Sequence, residues 1–217
     1  MLNKPSTFDY TYGVHAAVTD QDGTVWLCHK WPGIMSDEGE LVRCWSNGHI
    51  DDHTNEIAGT VRSVVLTNEG KACAIGQDGL YVHQGDSFDF HEIEQFATEG
   101  TVLLNCAHGD VHGNVWMMVF ANNTPYLYKY ELGTRGMTVW EYGGPGVGNT
   151  TIDAITSDPM GNVWFAQRGA GLSMYDGTNF VAFPHGADLI CIVRRRVDEQ
   201  TQARKAILAV SVVPDAC

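Results

Sequence analysis

The segment MGNVWFAQRGAGLSMYDGTNFVAF, residues 160–183, contains three short apolar runs, VWFAQ, GLSMY and FVAF. The segments RGAG and DGTN separate these runs. Glycine, asparagine and aspartate favour tight turns, and short strand-forming runs between such turns are typical of antiparallel hairpins. The segment therefore predicts a β-meander.

The beginning of this segment recurs along the chain. GNVW occupies residues 161–164 and 113–116, GTVW occupies 23–26, and a degenerate form, GKAC, occupies 70–73. The four glycines are 47, 43 and 48 residues apart, in the range of the repeat period of propeller blades. Nine residues before each glycine lies an aliphatic residue, and three before it lies a polar one: Asp20, Thr67, Asp110 and Asp158.

Two further apolar alternations follow each glycine element, so each repeat contains four short strands. One such unit about every 46 residues favours a β-propeller over a β-sandwich with accidental internal similarity. We predict an all-β, five-bladed propeller that forms a single domain over residues 1–217. The repeats lie near residues 14–55, 61–95, 104–143 and 152–184, and the fifth blade combines residues 188–217 with residues 1–12. The recurring Trp26, Trp116 and Trp164 are expected to be core residues wedged between blades.

Composition limits the function classes. The 217-residue chain is 44% hydrophobic and carries a net charge of −13, which argues against a nucleic-acid partner. It has no apolar run long enough to span a bilayer, so no membrane partner is expected. The six cysteines form no C-x-x-C pair and lie in apolar surroundings, which favours free thiols and a cytoplasmic location. No signal peptide is visible, and removal of one stays open.

The repeat IDAITSDPMGNVWFAQRGAGLSMYDGTNFVAF resembles the two-component-regulator propeller repeat and, more distantly, the repeat of virginiamycin B lyase. The match is clear over residues 152–183, fair over 14–45 and 104–142, and weak over 61–91. Regulator repeats usually form sensory regions of longer chains, so this resemblance implies a recognition module. The lyase resemblance implies two catalytic histidines and a carboxylate-held Mg²⁺ at the channel mouth, and of the histidines only His15 lies at a matching position.

Polar residues follow the aligned aliphatic residue in each repeat, where the inner strand begins at the channel mouth. These residues are His15, Arg62, Asn105 and Asp153. The loops on the same face add Trp31, Gln77, Asn122 and Arg168. Such a set of groups suits a polyol, an amino acid or a peptide end. In the alternative interpretation, the ring residues cap strands and pair with one another, Arg62 with Asp153 for example, and Trp31 packs onto the first blade.

We expect a non-enzymatic module that binds a small polar, glycan-like ligand or a protein partner through the channel mouth. Two alternatives stay open: a metal-dependent lyase or lactone hydrolase, and a structural assembly subunit that oligomerises through the incomplete fifth blade. No cofactor is expected, with a divalent metal as the alternative. The segment GHIDDHTNE, residues 48–56, carries metal-capable groups but is predicted to be an outer, solvated strand.

Overall fold

The computed structural model describes residues 13–30, 39–57, 60–94, 96, 102–121, 124–141, 143, 151–183, 188–197 and 204–213, the last two ranges by their backbone alone. The chain forms two compact units, residues 1–142 and residues 143–217.

The first unit contains three antiparallel sheets of four strands, and in each sheet the strand order follows the chain. Sheet 1 consists of β1 (Gly13–Thr19), β2 (Val25–Lys30), β3 (Gly39–Cys44) and β4 (Ile50–Asp52), and a 3₁₀ turn follows at Thr54–Glu56. Sheet 2 consists of β5 (Ser63–Leu66), β6 (Ala72–Ile75), β7 (Gly79–His83) and β8 (Phe88–Glu92). Sheet 3 consists of β9 (Val102–Gly109), β10 (Asn114–Ala121), β11 (Thr124–Glu131) and β12 (Gly136–Glu141).

The second unit contains one more sheet of this kind and a hairpin. Sheet 4 consists of β13 (Ile152–Ser157), β14 (Val163–Gln167), β15 (Gly171–Tyr175) and β16 (Phe180–Phe183). The hairpin pairs β17 (Asp188–Val197) with β18 (Arg204–Val213). The predicted all-β class and the four predicted four-stranded repeats are confirmed. Residues 1–12 and 214–217, which were assigned to the fifth blade, lie outside the described residues, and the blade count and the single domain stay predictions.

Two hydrophobic clusters hold the first unit together. One joins sheet 1 to sheet 2 and centres on the fully buried Trp26 and Leu41, and the other joins sheet 2 to sheet 3 around Ile75 and Met117. Strand β10 is buried along almost its whole length, because both of its faces contact apolar neighbours. The first strands of the three sheets also contact one another, β1 with β5 and β5 with β9. These strands are therefore the inner strands of the unit.

The turn between the first and second strands is built in nearly the same way in every sheet. In sheet 3, Asp110 Oδ1 accepts hydrogen bonds from the amides of His112 and Asn114, while Oδ2 accepts the indole N–H of Trp116 at 2.7 Å. Asp20 and Asp158 accept the indole N–H of Trp26 and Trp164 in the same way, both at 3.1 Å. The glycine of this turn has positive φ in all four sheets, a conformation that other residues rarely adopt.

Sheet 2 carries a simpler form of this turn. Thr67 replaces the aspartate and accepts the Lys71 amide through its hydroxyl at 3.1 Å, and Cys73 replaces the tryptophan. The turn therefore keeps one side-chain bond to its backbone, and the smaller Cys73 needs no acceptor for an indole N–H.

Trp26 and Trp116 are fully buried core residues as predicted, whereas Trp164 is only half-buried, and the three have different neighbours. Trp26 contacts His83 and Phe88 of sheet 2, as predicted for a tryptophan between adjacent blades. Trp116 stacks on Trp140 of its own sheet, with ring centroids 5.6 Å apart. Trp164 stacks in the same way on Phe183 of the outer strand β16. The wedge between sheets is thus confirmed for Trp26, whereas these stacking contacts of the other two lie within their own sheets.

We expect Asp110→Ala to lower the free energy of unfolding by about 2–4 kcal/mol, because the change leaves a buried indole N–H and buried amides without their acceptor. Urea denaturation followed by tryptophan fluorescence measures this effect. Asp86→Ala, an exposed residue in the β7–β8 turn, is the matched control and should change stability by less than about 0.5 kcal/mol. Equal effects of the two substitutions would contradict the role of the Asp–Trp bond.

Candidate functional site

The inner strands contain a β-bulge at the position of the predicted ring residues. In sheet 1, the register shifts between Val14 and Ala16, so His15 is the extra residue. Asn105 holds the same place in sheet 3 and Asp153 in sheet 4. A bulge inserts one unpaired residue and redirects its side chain relative to the regular alternation. All three side chains are exposed as a result.

Arg62 occupies the related position in sheet 2. Ile75 pairs with Ser63, and its carbonyl oxygen also accepts the amide of Arg62 at 2.7 Å. Arg62, which directly precedes β5, and Ser63, its first residue, thus both lie opposite Ile75 of β6. The residue before Arg62, Val61, is fully buried and anchors this end of the strand, while Arg62 itself is half-buried.

A cavity of about 430 Å³ lies between the three inner strands of the first unit. Its lining includes the bulge residues His15 and Asn105 together with Ser63, Cys106 and His108. Small and aliphatic side chains, among them Ala17, Val64 and Ala107, form much of the remaining wall. An apolar wall with a few polar groups is the usual composition of a small-molecule site.

The inner strands approach each other closely at the far end of this cavity. A Cβ atom at Gly109, the last residue of β9, would overlap the carbonyl oxygen of Leu66, the last residue of β5. Glycine is therefore required there by contact with the neighbouring backbone. This close contact narrows the end of the cavity opposite His15 and Asn105.

Burial determines the protonation state of His108 in the cavity wall. Loss of hydration lowers the pKa of His108, and the nearby Asp110 carboxylate opposes this effect only in part. The ring is therefore neutral near pH 7 and offers one donor and one acceptor. Cys28, Cys44, Cys73 and Cys106 form no disulfide bond, in agreement with the prediction for these four, and Cys106 lies in the cavity wall.

In the second unit, two predicted site residues contact each other. Arg168 donates two hydrogen bonds to the Asp153 carboxylate, from Nε at 3.1 Å and from an Nη at 2.8 Å. The turn after β14 thus brings Arg168 over the start of β13, on the face predicted for both. The Asp153 carboxylate raises the pKa of Arg168 further by hydrogen bonding and charge. Both side chains are exposed.

The remaining predicted residues lie apart from the cavity or outside the described part of the chain. Gln77 is exposed in the turn between β6 and β7, and it is not among the residues that line the cavity. Trp31 and Asn122 lie outside the described residues. Among the residues that the structure describes, no group of three or more His, Cys, Asp or Glu side chains could hold a metal ion. Within the same residues, no helix is long and apolar enough to span a membrane.

A second cavity, of about 310 Å³, lies between sheets 2 and 3 at the end of the strands that carries the β5–β6 turn. Its polar side chains are largely paired with one another. Asp89 accepts hydrogen bonds from His91 at 3.0 Å and from Arg135 at 3.0 and 3.2 Å, and Tyr130 contacts the other His91 nitrogen at 3.3 Å. Because Arg135 and Tyr130 belong to sheet 3, these bonds join the two sheets.

This network also holds Asp89 in its charged form. Burial acts to raise the pKa of Asp89, but hydrogen bonds and charges from His91 and Arg135 outweigh it and leave the pKa below its usual value. Arg135 has φ +57°, a left-handed conformation that is uncommon outside glycine and that marks this turn as locally constrained. The second cavity is therefore best described as the edge of an inter-sheet contact.

Sequence reasoning singled out these polar residues at the start of the inner strands but missed the bulge that exposes them. The signal was present, because a polar residue directly follows the aligned aliphatic residue near the start of the inner strand in each repeat. A bulge appears only when the partner strand is aligned, and the partner lies after a turn of variable sequence. Sequence reasoning also missed the bond from aspartate to tryptophan, although the constant six-residue spacing from Asp20 to Trp26 and from Asp110 to Trp116 could have indicated it.

No family model and no curated protein matches the chain. Solved structures with a similar fold include the extracellular domain of the two-component-system protein BT4673 of B. thetaiotaomicron, with a TM-score of 0.57 and 16% identity over 84% of this chain and 24% of that chain. The extracellular domain of BT3049 from the same organism matches with a TM-score of 0.53 and 13% identity over 89% of this chain and 26% of that chain. A nidogen–laminin complex matches with a TM-score of 0.53 and 12% identity over 75% of this chain and 60% of that chain. The chain thus spans about a quarter of the two-component domains that it matches.

These comparisons support the propeller fold. The resemblance to regulator repeats is borne out at that level, since the similar structures include extracellular domains of two-component-system proteins. At identities of 13–16% the likeness concerns the fold alone.

We expect Gly109→Ala to lower the free energy of unfolding by about 1–3 kcal/mol, because the new methyl group must push β9 away from the Leu66 carbonyl. Gly133→Ala is the matched control, since a Cβ there meets no atom within 4 Å, and it should be nearly neutral. Thermal unfolding of both variants measures the difference. A neutral Gly109→Ala would mean that the inner strands are not in contact at this end.

Proposed function

We propose that the chain is a non-enzymatic recognition module whose ligand enters the inner-strand cavity of the first unit from the end that carries His15, Arg62 and Asn105. The observation that carries this proposal is the bulge that recurs at the start of the inner strand. The bulge exposes a polar side chain at a position where the regular alternation of the strand would direct that side chain differently.

The chemistry of the cavity fits a small polar ligand, such as a sugar, or a polar side chain of a protein partner. The imidazole of His15 and the amide of Asn105 can each donate and accept hydrogen bonds, and Ser63 adds a hydroxyl. Alanine and valine side chains beside them can contact the C–H groups of the same ligand. A volume of about 430 Å³ falls within the range of small-molecule pockets.

The exposed pair of Asp153 and Arg168 offers a further contact point in the second unit. A bidentate arginine–carboxylate pair fixes two charged groups in a defined geometry, ready to exchange with a hydroxyl or carboxylate of a ligand. The propeller folds that the chain resembles include extracellular domains and a protein–protein complex, which accords with a recognition role.

We expect at least one sugar or amino acid in a mixed panel to bind the full chain with an affinity that His15→Ala and Asn105→Ala each lower by about tenfold or more, as expected for a lost hydrogen bond in a partly buried site. Isothermal titration calorimetry measures the affinity. His112→Ala, an exposed histidine that the inner-strand cavity does not include, is the control and should bind as the unaltered chain does.

Chelation separates this function from the metal-dependent enzyme. Ligand binding at the cavity end that carries His15, Arg62 and Asn105 should persist in EDTA. A lyase or lactone hydrolase would instead turn over its substrate and lose that activity in EDTA. If His15→Ala and Asn105→Ala bind every ligand as the control does, the recognition site is not this cavity.

A second candidate, the assembly subunit, is favoured by the hairpin of β17 and β18. Each of its strands has ten residues, yet the described sheet contains two strands where the other four sheets contain four. Long strands with unpaired edges are templates for pairing with another chain. We expect this candidate to show as an oligomer in light scattering that is altered by deletion of residues 214–217, and a monomer in both cases would exclude it.

A further inference from the structure

Four rings meet where sheet 1 contacts sheet 2. Trp26 of β2 lies 4.6 Å from His83 of β7 and 5.2 Å from His53, measured between ring centroids. Phe88 of β8 lies 5.3 Å from His83 and 5.7 Å from His53, and the two histidine rings are 6.1 Å apart. We call these four rings the junction cluster. Since Trp26 is fully buried and the side chain of His53 is only 15% exposed, little water reaches the cluster.

The junction cluster leaves buried nitrogen atoms without a hydrogen-bond partner. Nε2 of His53, Nε2 of His83 and Nε of the adjacent Arg43 make no hydrogen bond, and they are three of the four such side-chain atoms among the described residues. A buried polar atom without a partner costs free energy, so a group of three at one contact calls for an explanation. They lie within one set of ring contacts, because Arg43 stacks 5.0 Å from the centre of Trp26.

The hydrogen bonds of the histidines define which nitrogen is unprotonated. Nδ1 of His53 lies 2.8 Å from a carboxylate oxygen of Glu56, which can only accept, so Nδ1 carries the proton. The Nε2 atom of the neutral ring is then a lone pair that faces an apolar surrounding. His83 also makes a hydrogen bond with the backbone, at Gly85, and its Nε2 is the buried atom without a partner.

Charges around the cluster disfavour a proton on the His83 ring. The Arg43 guanidinium lies against Trp26 and, 3.8 Å away, against Trp45, and its one carboxylate contact in the described residues, Asp20, is a long 3.9 Å. Protonation of His83 would add a positive charge beside the Arg43 guanidinium in a poorly hydrated contact. The opposing carboxylates are Asp20, which is already shared with Trp26, Glu56, which is 46% exposed, and Asp51, which is already bound to Trp45 and His49.

We propose that the junction cluster is a proton-sensitive contact: mild acidification protonates His83 and loosens sheet 1 from sheet 2. The neutral His83 ring packs in this cluster as an aromatic ring, whereas an imidazolium needs hydration or a carboxylate, and the buried Nε2 of His83 has no hydrogen-bond partner. Because the cluster joins β2 to β7, its loosening separates two sheets whose first strands, β1 and β5, share the inner cavity. The inference does not depend on what that cavity binds.

The direction of the effect follows from the histidine titration. Burial lowers the pKa of His83 below 6.5, and the charges of Arg43 and His53 lower it further, against smaller opposing effects of the Gly85 backbone and Asp20. The unfolded chain therefore binds this proton at a higher pH than the folded chain does. Stability is complete above the pKa of the unfolded histidine, near 6.5, and is lost as the pH falls below it.

The test compares the change in melting temperature between pH 7.5 and pH 5.5 in the full chain and in variants. We expect the unaltered chain to lose about 3 °C or more on acidification. His83→Asn, which keeps a side-chain donor but does not titrate, and His83→Phe, which keeps the aromatic packing, should each remove most of this loss. His112→Asn, an exposed histidine of sheet 3, is the control and should retain it.

Amide hydrogen exchange, corrected for the intrinsic effect of pH, provides a second measurement on the unaltered chain. We expect faster exchange at pH 5.5 in β2 and β7 and unchanged exchange in β10. Equal acid losses in the His83 variants and the control would overturn the proposal. So would a rise in melting temperature on addition of Zn²⁺ or Cu²⁺ at pH 7.5 that the His83 variants lack, since the two Nε2 atoms would then be ligands of a metal.

Discussion

The hydrogen bond from a tryptophan indole to an aspartate carboxylate is the constraint that fixes the first turn in three of the four four-stranded sheets. In three sheets the same carboxylate also accepts two backbone amides of the turn, so one side chain fixes the turn and the position of the large ring that follows it. Burial alone would raise the pKa of Asp158, but bonds from Asn162 and Trp164 outweigh it and hold that pKa below its usual value. Asp158 is therefore charged, and its hydrogen bonds are of the stronger, charge-assisted kind.

The turn built by the aspartate fixes one end of the inner strand in these three sheets, and the bulge lies at the other end. At the fixed end, Gly109 and Leu66 bring the backbones of neighbouring sheets into contact. At the other end, the bulges admit His15, Asn105 and Asp153 without disturbing the pairing that follows. The residues that fix the turns and the exposed bulge residues thus lie at opposite ends of the inner strands.

The contacts between sheets differ in chemistry even though the repeats are alike. Sheets 2 and 3 are joined by a charged network in which Asp89, His91 and Arg135 satisfy one another. Sheets 1 and 2 are joined by aromatic rings whose histidine nitrogens are left without partners. The first contact gives its histidine and its arginine a shared carboxylate partner, whereas the second leaves Nε2 of His53 and Nε2 of His83 without any partner.

The sequence by itself determined the fold class, the four-stranded repeats and the inner-strand positions, because a period near 46 residues and strand alternation are local properties of the chain. It also indicated cysteines outside disulfide bonds, which the four described cysteine side chains confirm. It gave no means to see that Arg168 contacts Asp153, or that His53, placed on an outer solvated strand, lies against Trp26. Those pairings depend on how strands and sheets are brought together, and partners 15 or more residues apart are decided by packing and by loop geometry that no local pattern encodes.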